Sequence, residues 1–555
     1  MTDTTAQLVV TAPIRKGFGR DTALVTVCTL ISRVTGFARV VATAAVLGTG
    51  VLGDVYQTAN MIPNLLFELV AGGVLQAVLV PSFVAARREG GLDGLSRATR
   101  ATAGVTLAAL SVVALIGMAL SPVLAHLLLA GDPSRANAHD KFRLMVPMVL
   151  VFVPQLVWYG VATVTSSALN AKGRYVTAAL APAVNNVIVV GACILFRVSR
   201  GGRVADLDLT TWQFVLIAGG TTLGVAAFSL TPAIALSVRG VHWWPRWDPQ
   251  HPAVRSLRSS FGWATLSIVG TLVPTAAALA FGNGAEGGVA VFVYAFAFFV
   301  LPHALIAVTV ATTLAPRVAD GWQAGHVRDV AMTIESSLKA ILPLLAIAGS
   351  AMVALAWPLT RVVTEVGQTA SQGYGPIAHT IAAFGPGLMG YGVSFVMIRV
   401  LFALGDVRRG SILMIAGAVV GVLVMAVASA VCDPSERAAA LAAGYGAAQT
   451  VVAILLVHRV HRLTGSLGPS RAFGLLVEAM VASGVGGVAM WSVVSVFDDS
   501  RLQAFFALGL GGLAGMVAFS GMMVLLRGRD LVRRPPRLHG SLRQRPAVRD
   551  DAPTA

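Results

Sequence analysis

Runs of about twenty or more apolar residues recur from one end of this sequence to the other, separated by short loops that carry most of its charge. A helix needs about 20 such residues to cross a hydrocarbon core about 30 Å thick. Backbone in lipid must also satisfy its own hydrogen bonds, which leaves helices as the natural spanning element. Of the 555 residues, 56% are hydrophobic and 12% charged, too little charge to cover a soluble surface. The runs fall near 22–47, 55–86, 101–129, 142–169, 175–196, 213–237, 257–282, 288–316, 332–357, 375–404, 410–431, 437–457, 472–497 and 502–526. They predict an all-α polytopic membrane protein with about 14 transmembrane helices. Residues 1–20 are polar and carry Arg15, Lys16 and Arg20, so they read as a tail and not as a cleavable signal peptide.

A net charge of +16 would suggest nucleic acid in a soluble chain. Here its distribution points to membrane lipid and to no nucleic-acid partner. With the N-terminus inside, the cytoplasmic loops and tails hold 28 Lys and Arg, the opposite face 9, and the spans themselves 4. That excess predicts cytoplasmic location for both termini. The organisation expected is a tail over 1–21, a six-helix N-lobe over 22–237, a cytoplasmic interfacial linker over 238–256 and a six-helix C-lobe over 257–458. Two further helices over 459–527 and a basic, disordered tail over 528–555 complete it. The linker sits at the midpoint of the helix count and contains His242, Trp243, Trp244, Arg246 and Trp247, a composition suited to lying along headgroups.

Weak internal symmetry supports two lobes around a central cavity. Val55-Tyr56, Pro63 and Pro81 in the second span parallel Val293-Tyr294, Pro302 and Pro316 in the eighth. Pro63, Pro154, Pro182, Pro274 and Pro302 mark breaks of the kind transporters use for cavities and bending.

A charge at the centre of a span costs about 2.5–3.5 kcal/mol on insertion scales, so it persists where it faces protein or water. Arg33 and Arg39 share the first span, and six residues of helix place them roughly 120° apart and about 9 Å along the axis. Guanidinium forks suit phosphate or carboxylate oxygens, so the pair is a candidate anion grip. Internal pairing with Asp54 or Glu68 is the competing reading, and the two are compatible. Gly36 between the arginines permits a bend or a close helix approach. Lys339 and Arg399 lie near span ends and are read as snorkelling. Glu478 has no obvious partner in the sequence and stands as a candidate cavity residue, while His303 is read as a packed histidine. Asn185 and Asn186 are expected to bond between helices.

Sites for chemistry are not legible. GxxxxGK[ST], HExxH and CxxC patterns are absent, Cys28, Cys193 and Cys432 are far apart, and no outer loop is long enough for a catalytic domain. The expectation is a carrier without catalytic residues, metal or cofactor.

Ser32-Arg33-Val34-Thr35-Gly36-Phe37-Ala38-Arg39, then Asp54, Ile62-Pro63-Asn64-Leu65-Leu66 and Val80-Pro81, resembles the MurJ (MviN) family of lipid II flippases in the multidrug/oligosaccharidyl-lipid/polysaccharide exporter superfamily. The motif block covers 32–81, and helix count and symmetry extend the likeness as architecture. The resemblance implies two helix bundles forming a V-shaped cavity, with a lipid-facing groove shaped by the last two helices. It implies alternating access that carries the lipid II headgroup of peptidoglycan synthesis across a bacterial inner membrane. It also implies diphosphate contact by Arg33 and Arg39, and Asp54 and Asn64 match the family's acidic residue and asparagine of the second helix. Asn64 and Gly36 stand as candidate substrate-binding residues, and Asp54 and Glu68 as candidate counter-ion or gating residues. Two positions where the family commonly has arginine are Phe67 and Ala297 here. A carrier of another polyprenyl-linked or amphipathic cargo, or a scaffold for cell-wall synthesis or division proteins, therefore stands beside lipid II export.

Overall fold

The computed structural model describes residues 18–71, 74–129, 135–201, 203, 206–260, 263–365, 367–466, 468–498 and 500–533. Among these the chain is helical, with no strand. The N-terminal half holds α1 (Phe18–Leu47), α2 (Val51–Ala71), α3 (Val74–Ala119), α4 (Ser121–Leu129), α5 (Arg135–Phe152), α6 (Gln155–Ala171), α7 (Tyr175–Ser199) and α8 (Thr211–Ser237). After α9 (Pro252–Ser260) come α10 (Trp263–Gly282), α11 (Gly288–Gln323), α12 (Val327–Ala354), α13 (Ala356–Thr364), α14 (Gln368–Gln372), α15 (Gly375–Phe384) and α16 (Gly387–Ala403). The chain continues through α17 (Val407–Val431), α18 (Arg437–Thr464), α19 (Pro469–Val494) and α20 (Arg501–Arg533).

Among the described residues twelve helices are long and apolar enough to cross a membrane, or thirteen when α15 and α16, bent by 49° at Gly385-Pro386, count as one span. The expected second and third spans, 55–86 and 101–129, are divided differently from the hydropathy runs. α2 ends at Ala71, and α3 continues through a non-helical break at Gly90 and Gly91 to Ala119. Glycine at 91 has φ +60°, a conformation that side chains disfavour, so the long helix changes direction there. The stretch before Phe18, with Arg15 and Lys16, and the stretch after Arg533 lie outside the described residues. The basic tail expected from 528 begins instead as helix, because α20 runs on to Arg533.

Two bundles result. In the first, α1 packs along α7, α7 along α8, and α3 along α6, over clusters centred on Leu52, Phe152 and Phe196 and on Phe83 and Leu169. In the second, α10 packs on α17 and α16 on α18 over a core rich in rings, including Tyr294, Phe299, Phe384 and Tyr445. Helices in lipid gain little from hydrophobic exclusion and associate through close fit, which favours small residues at crossings. At the α16–α18 crossing a Cβ on Gly387 would stand 2.3 Å from the Gly446 Cα, so both positions must be glycine. The final pair, α19 and α20, packs on itself and on α12, with α20 also reaching α13.

Proline acts as expected of a residue lacking an N–H. Pro63, Pro182, Pro274 and Pro302 lie inside helices, and Pro154 separates α5 from α6. Pro302 is followed at once by a π-helical turn over Ala304–Val308. The linker between bundles lies against the first: Arg246 N–H donates to the Arg100 carbonyl at 3.0 Å, and Trp243 Nε1 donates to Ser237 Oγ at 3.0 Å. Trp244 and Trp247 remain exposed.

Candidate functional site

α1 lies where the bundles meet. On one side the Asn186 amide of α7 donates to the Ser32 carbonyl at 3.3 Å and to Thr35 Oγ1 at 3.2 Å. Gly36 faces that amide, since a Cβ there would touch Asn186 Nδ2 at 3.4 Å. Its role is a close helix approach and not a bend, for α1 is continuous. On the other side Phe37 meets Phe298 of α11 edge-on at 5.1 Å.

The two arginines of α1 therefore lie on a helix that borders both bundles. Arg39, half-buried, lies within electrostatic reach of Tyr56, Tyr159 and Cys193 of the first bundle. Arg33, exposed, lies within reach of His303 of the second. Neither has a carboxylate within ion-pair distance among the described residues. Pairing with Asp54 or Glu68 is therefore not what this structure contains. Glu68 is exposed, likewise without an ion-pair partner among the described residues.

Asp54 does something else. Buried at the start of α2, it accepts from the backbone N–H groups of Gly287 (2.7 Å), Val289 (3.1 Å) and Ala290 (2.8 Å), so it caps the N-terminus of α11 from the other bundle. An anion at a helix N-terminus meets unpaired amides and the positive end of the dipole. Gly287 has φ +77°, and a Cβ on it would stand 2.1 Å from the Thr49 carbonyl oxygen, so glycine is required for this contact. Around it Tyr294 Oη donates to the Gly48 carbonyl at 3.3 Å, Thr49 N–H donates to Gln372 Oε1 at 2.7 Å, and Thr58 pairs with Asn283. Gln368 Nε2 donates to the Arg203 carbonyl at 2.9 Å. These bonds join the bundles where α1 gives way to α2, and close that end. Toward the other end Arg33 and Glu68 are exposed. A basic cluster flanks that end: Arg87 donates to the Ala171 carbonyl and Lys172 to the Arg239 carbonyl. Burial, together with Arg87, Arg239 and Arg174, pushes the Lys172 ammonium below its ordinary value.

The remaining sequence candidates separate. Asn64 directs its amide to the Asn60 carbonyl of its own helix at 2.8 Å, beside the proline. Phe67 packs on Tyr159 at 5.2 Å and Tyr159 on Phe228 at 6.5 Å, so an aromatic wall stands where a guanidinium was expected. Ala297 is half-buried on α11. Glu478 is not an unpartnered cavity residue: Arg527 of α20 donates to it at 3.0 Å, pairing the two last helices. Lys339 pairs with Glu335 one turn away at 2.7 Å. The three cysteines are free, and no group of metal-ligating side chains occurs among the described residues.

Sequence reasoning missed the Asp54 cap, Gln372 and the aromatic surroundings of His303. His303 stacks against Tyr391 at 4.2 Å and meets Phe395 edge-on at 4.9 Å, and its buried Nδ1 has no hydrogen-bond partner among the described residues.

Known proteins resemble this chain in sequence and in fold. The family profile of lipid II flippase MurJ matches residues 43–510. A probable lipid II flippase MurJ of Rhizobium tropici is 28% identical over 539 residues, covering 94% of this chain and 96% of that one. The lipid II flippase MurJ of Burkholderia cenocepacia is 26% identical over 87% of this chain and 92% of its own length. Among solved structures, a lipid II flippase MurJ in an inward closed conformation superposes with a TM-score of 0.73 at 16% identity, over 92% of this chain and 100% of that one. An inward-facing multidrug resistance MATE family transporter of the MOP superfamily superposes at 0.62 with 15% identity, over 80% of this chain. With a family match across most of its length and a two-bundle fold to accompany it, this chain belongs to the MurJ family of lipid II flippases.

Proposed function

We propose that this protein moves lipid II from the cytoplasmic to the outer leaflet by alternating access, with Arg33 and Arg39 gripping the diphosphate between the bundles. The observation that carries this reading is a pair of arginines on the helix that lies between the bundles, with no carboxylate partner among the described residues. Cations within a membrane span that lack partners are costly, and a doubly charged phosphate ester offsets that cost with bidentate bonds. The excess of basic residues flanking the open end supports a cytoplasmic location for that end. Both termini then lie inside, and the Asp54 cap becomes the outer gate. The cargo enters from the cytoplasm, the polyprenyl tail stays in lipid, and loss of the cap opens the outer side.

Carrying a polar headgroup through such a space requires no bond to be made or broken, so the protein acts as a carrier and not as an enzyme. An inside-negative membrane potential draws positive charge inward by about 2.3 kcal/mol per charge per 100 mV. It would favour return of the emptied, arginine-lined space to the cytoplasmic side. The aromatic wall of Phe67, Tyr159 and Phe228 favours a second reading, export of another polyprenyl-linked or amphipathic cargo. The deciding experiment measures lipid II exposed on the outer face of cells depleted of the protein and complemented with wild type or Arg33→Ala/Arg39→Ala. Exposure that falls on depletion and returns only with wild type supports lipid II export through the arginines. Unchanged exposure in cells with no other flippase would remove lipid II as the cargo.

A further inference from the structure

We propose that Arg399 is a third anion-binding cation of this space, holding the substrate diphosphate from the second bundle while Arg33 holds it from α1. The inference deepens the carrier reading above and rests on it. From sequence Arg399 is a snorkelling residue near a span end, yet α16 does not aim it away from the space. Tyr391, Phe395 and Arg399 follow one another at intervals of four and form a single stripe of α16. His303 of α11 packs on the first two of these, at 4.2 Å from Tyr391 and 4.9 Å from Phe395. The Arg399 guanidinium lies over the Phe395 ring at 4.5 Å, so it occupies the next place along the same face.

His303 connects this stripe to α1. Phe37, one turn after Arg33 on α1, meets Phe298 of α11 edge-on at 5.1 Å, and His303 follows on that same helix. Arg399 is exposed and, like Arg33, has no ion-pair partner among the described residues. The wall between the two cations contains a further unanswered polar atom, the Nδ1 of His303, in a residue only 3% exposed. Two guanidinium groups on facing helices, neither with a carboxylate at ion-pair distance among the described residues, form a site that lacks its anion. Resting on an aromatic face suits a cation that must be released, since a ring holds it without occupying its hydrogen-bond donors. The residues at the two positions where arginine was expected, Phe67 and Ala297, leave the α1 pair short of cationic partners. Arg399 supplies the missing fork from a different helix. The ligand class is a lipid-linked diphosphate, whose two phosphoryl groups can engage two forks set apart on facing helices, whereas a single phosphoryl group reaches both only where they lie close together.

The test uses the full-length protein in phosphatidylcholine nanodiscs, which contain no anionic headgroup to compete, titrated with undecaprenyl diphosphate and with undecaprenyl monophosphate. Arg399→Ala is expected to weaken diphosphate binding about tenfold or more while changing monophosphate binding much less. Arg399→Lys, which keeps the charge without the fork, should bind between the two. Diphosphate binding by Arg399→Ala equal to wild type, alongside weakened binding by Arg33→Ala, would overturn the proposal and leave the α1 grip intact. Should the alanine variant not fold, Arg399→Lys binding as tightly and as selectively as wild type would overturn the forked contact. Wild type that binds neither lipid would instead bring down the carrier reading, and this proposal with it.

Discussion

Single side chains here act through where their helices hold them. Asp54 satisfies three amides of another bundle, and its neighbour across the contact, Gly287, holds a backbone conformation no other residue adopts cheaply. Asp54→Asn keeps the shape but leaves one oxygen to serve donors that two now serve. A buried amide left unpaired costs about 1–3 kcal/mol, so the closed end should open more often. Spin labels at the exposed positions Val198 and Ala370, one in each bundle, should report longer distances in Asp54→Asn than in wild type. An unchanged distance distribution would show that the other bonds at this end suffice. Gly287→Ala should produce the same shift, since its methyl group would collide with the Thr49 carbonyl.

Between elements, small residues set how closely helices cross. Gly387 and Gly446 bring α16 against α18, and α16 carries Tyr391, Phe395 and Arg399 toward His303. Gly446→Leu should force the pair apart, lower the melting temperature and broaden the size-exclusion profile in detergent. Gly474→Ala, on α19 with open space around its Cβ, should be neutral or raise stability by up to about 1 kcal/mol by restricting the unfolded chain. Equal behaviour of the two variants would contradict close packing as the source of the α16–α18 contact. The elements also show how far hydropathy reads. Apolar runs indicate where helices lie, yet they pass over the break at Gly90-Gly91, which needs only two residues, and the bend at Gly385-Pro386. A window long enough to detect a span averages over such short features.

For the whole molecule, the cross-bundle bonds close one end and the basic loops flank the other. Orientation follows if the positive-inside rule holds. In a protein whose Cys28, Cys193 and Cys432 are replaced, a single cysteine at Trp244 should react with an impermeant thiol reagent only in inverted vesicles. One at Asp433 should react in intact spheroplasts. The opposite pattern would place the Asp54 cap in the cytoplasm and reverse the assigned direction of entry.

Local features carried much of this in the sequence. Apolar run length, the asymmetry of Lys and Arg, and the 32–81 motif block are read along the chain, and they determined an all-helical membrane protein, its family resemblance and the interest of Arg33 and Arg39. Relations between residues far apart were decided only by tertiary structure. Asp54 and Gly287 are separated by 233 positions, so nothing in their spacing predicts that one caps the helix the other begins. Glu478 needed Arg527, and Arg399 needed His303, before either had a chemical setting. The physical reason is that insertion into lipid depends on each segment's own composition, whereas gates and anion sites depend on which helix ends and faces meet once the bundles have packed.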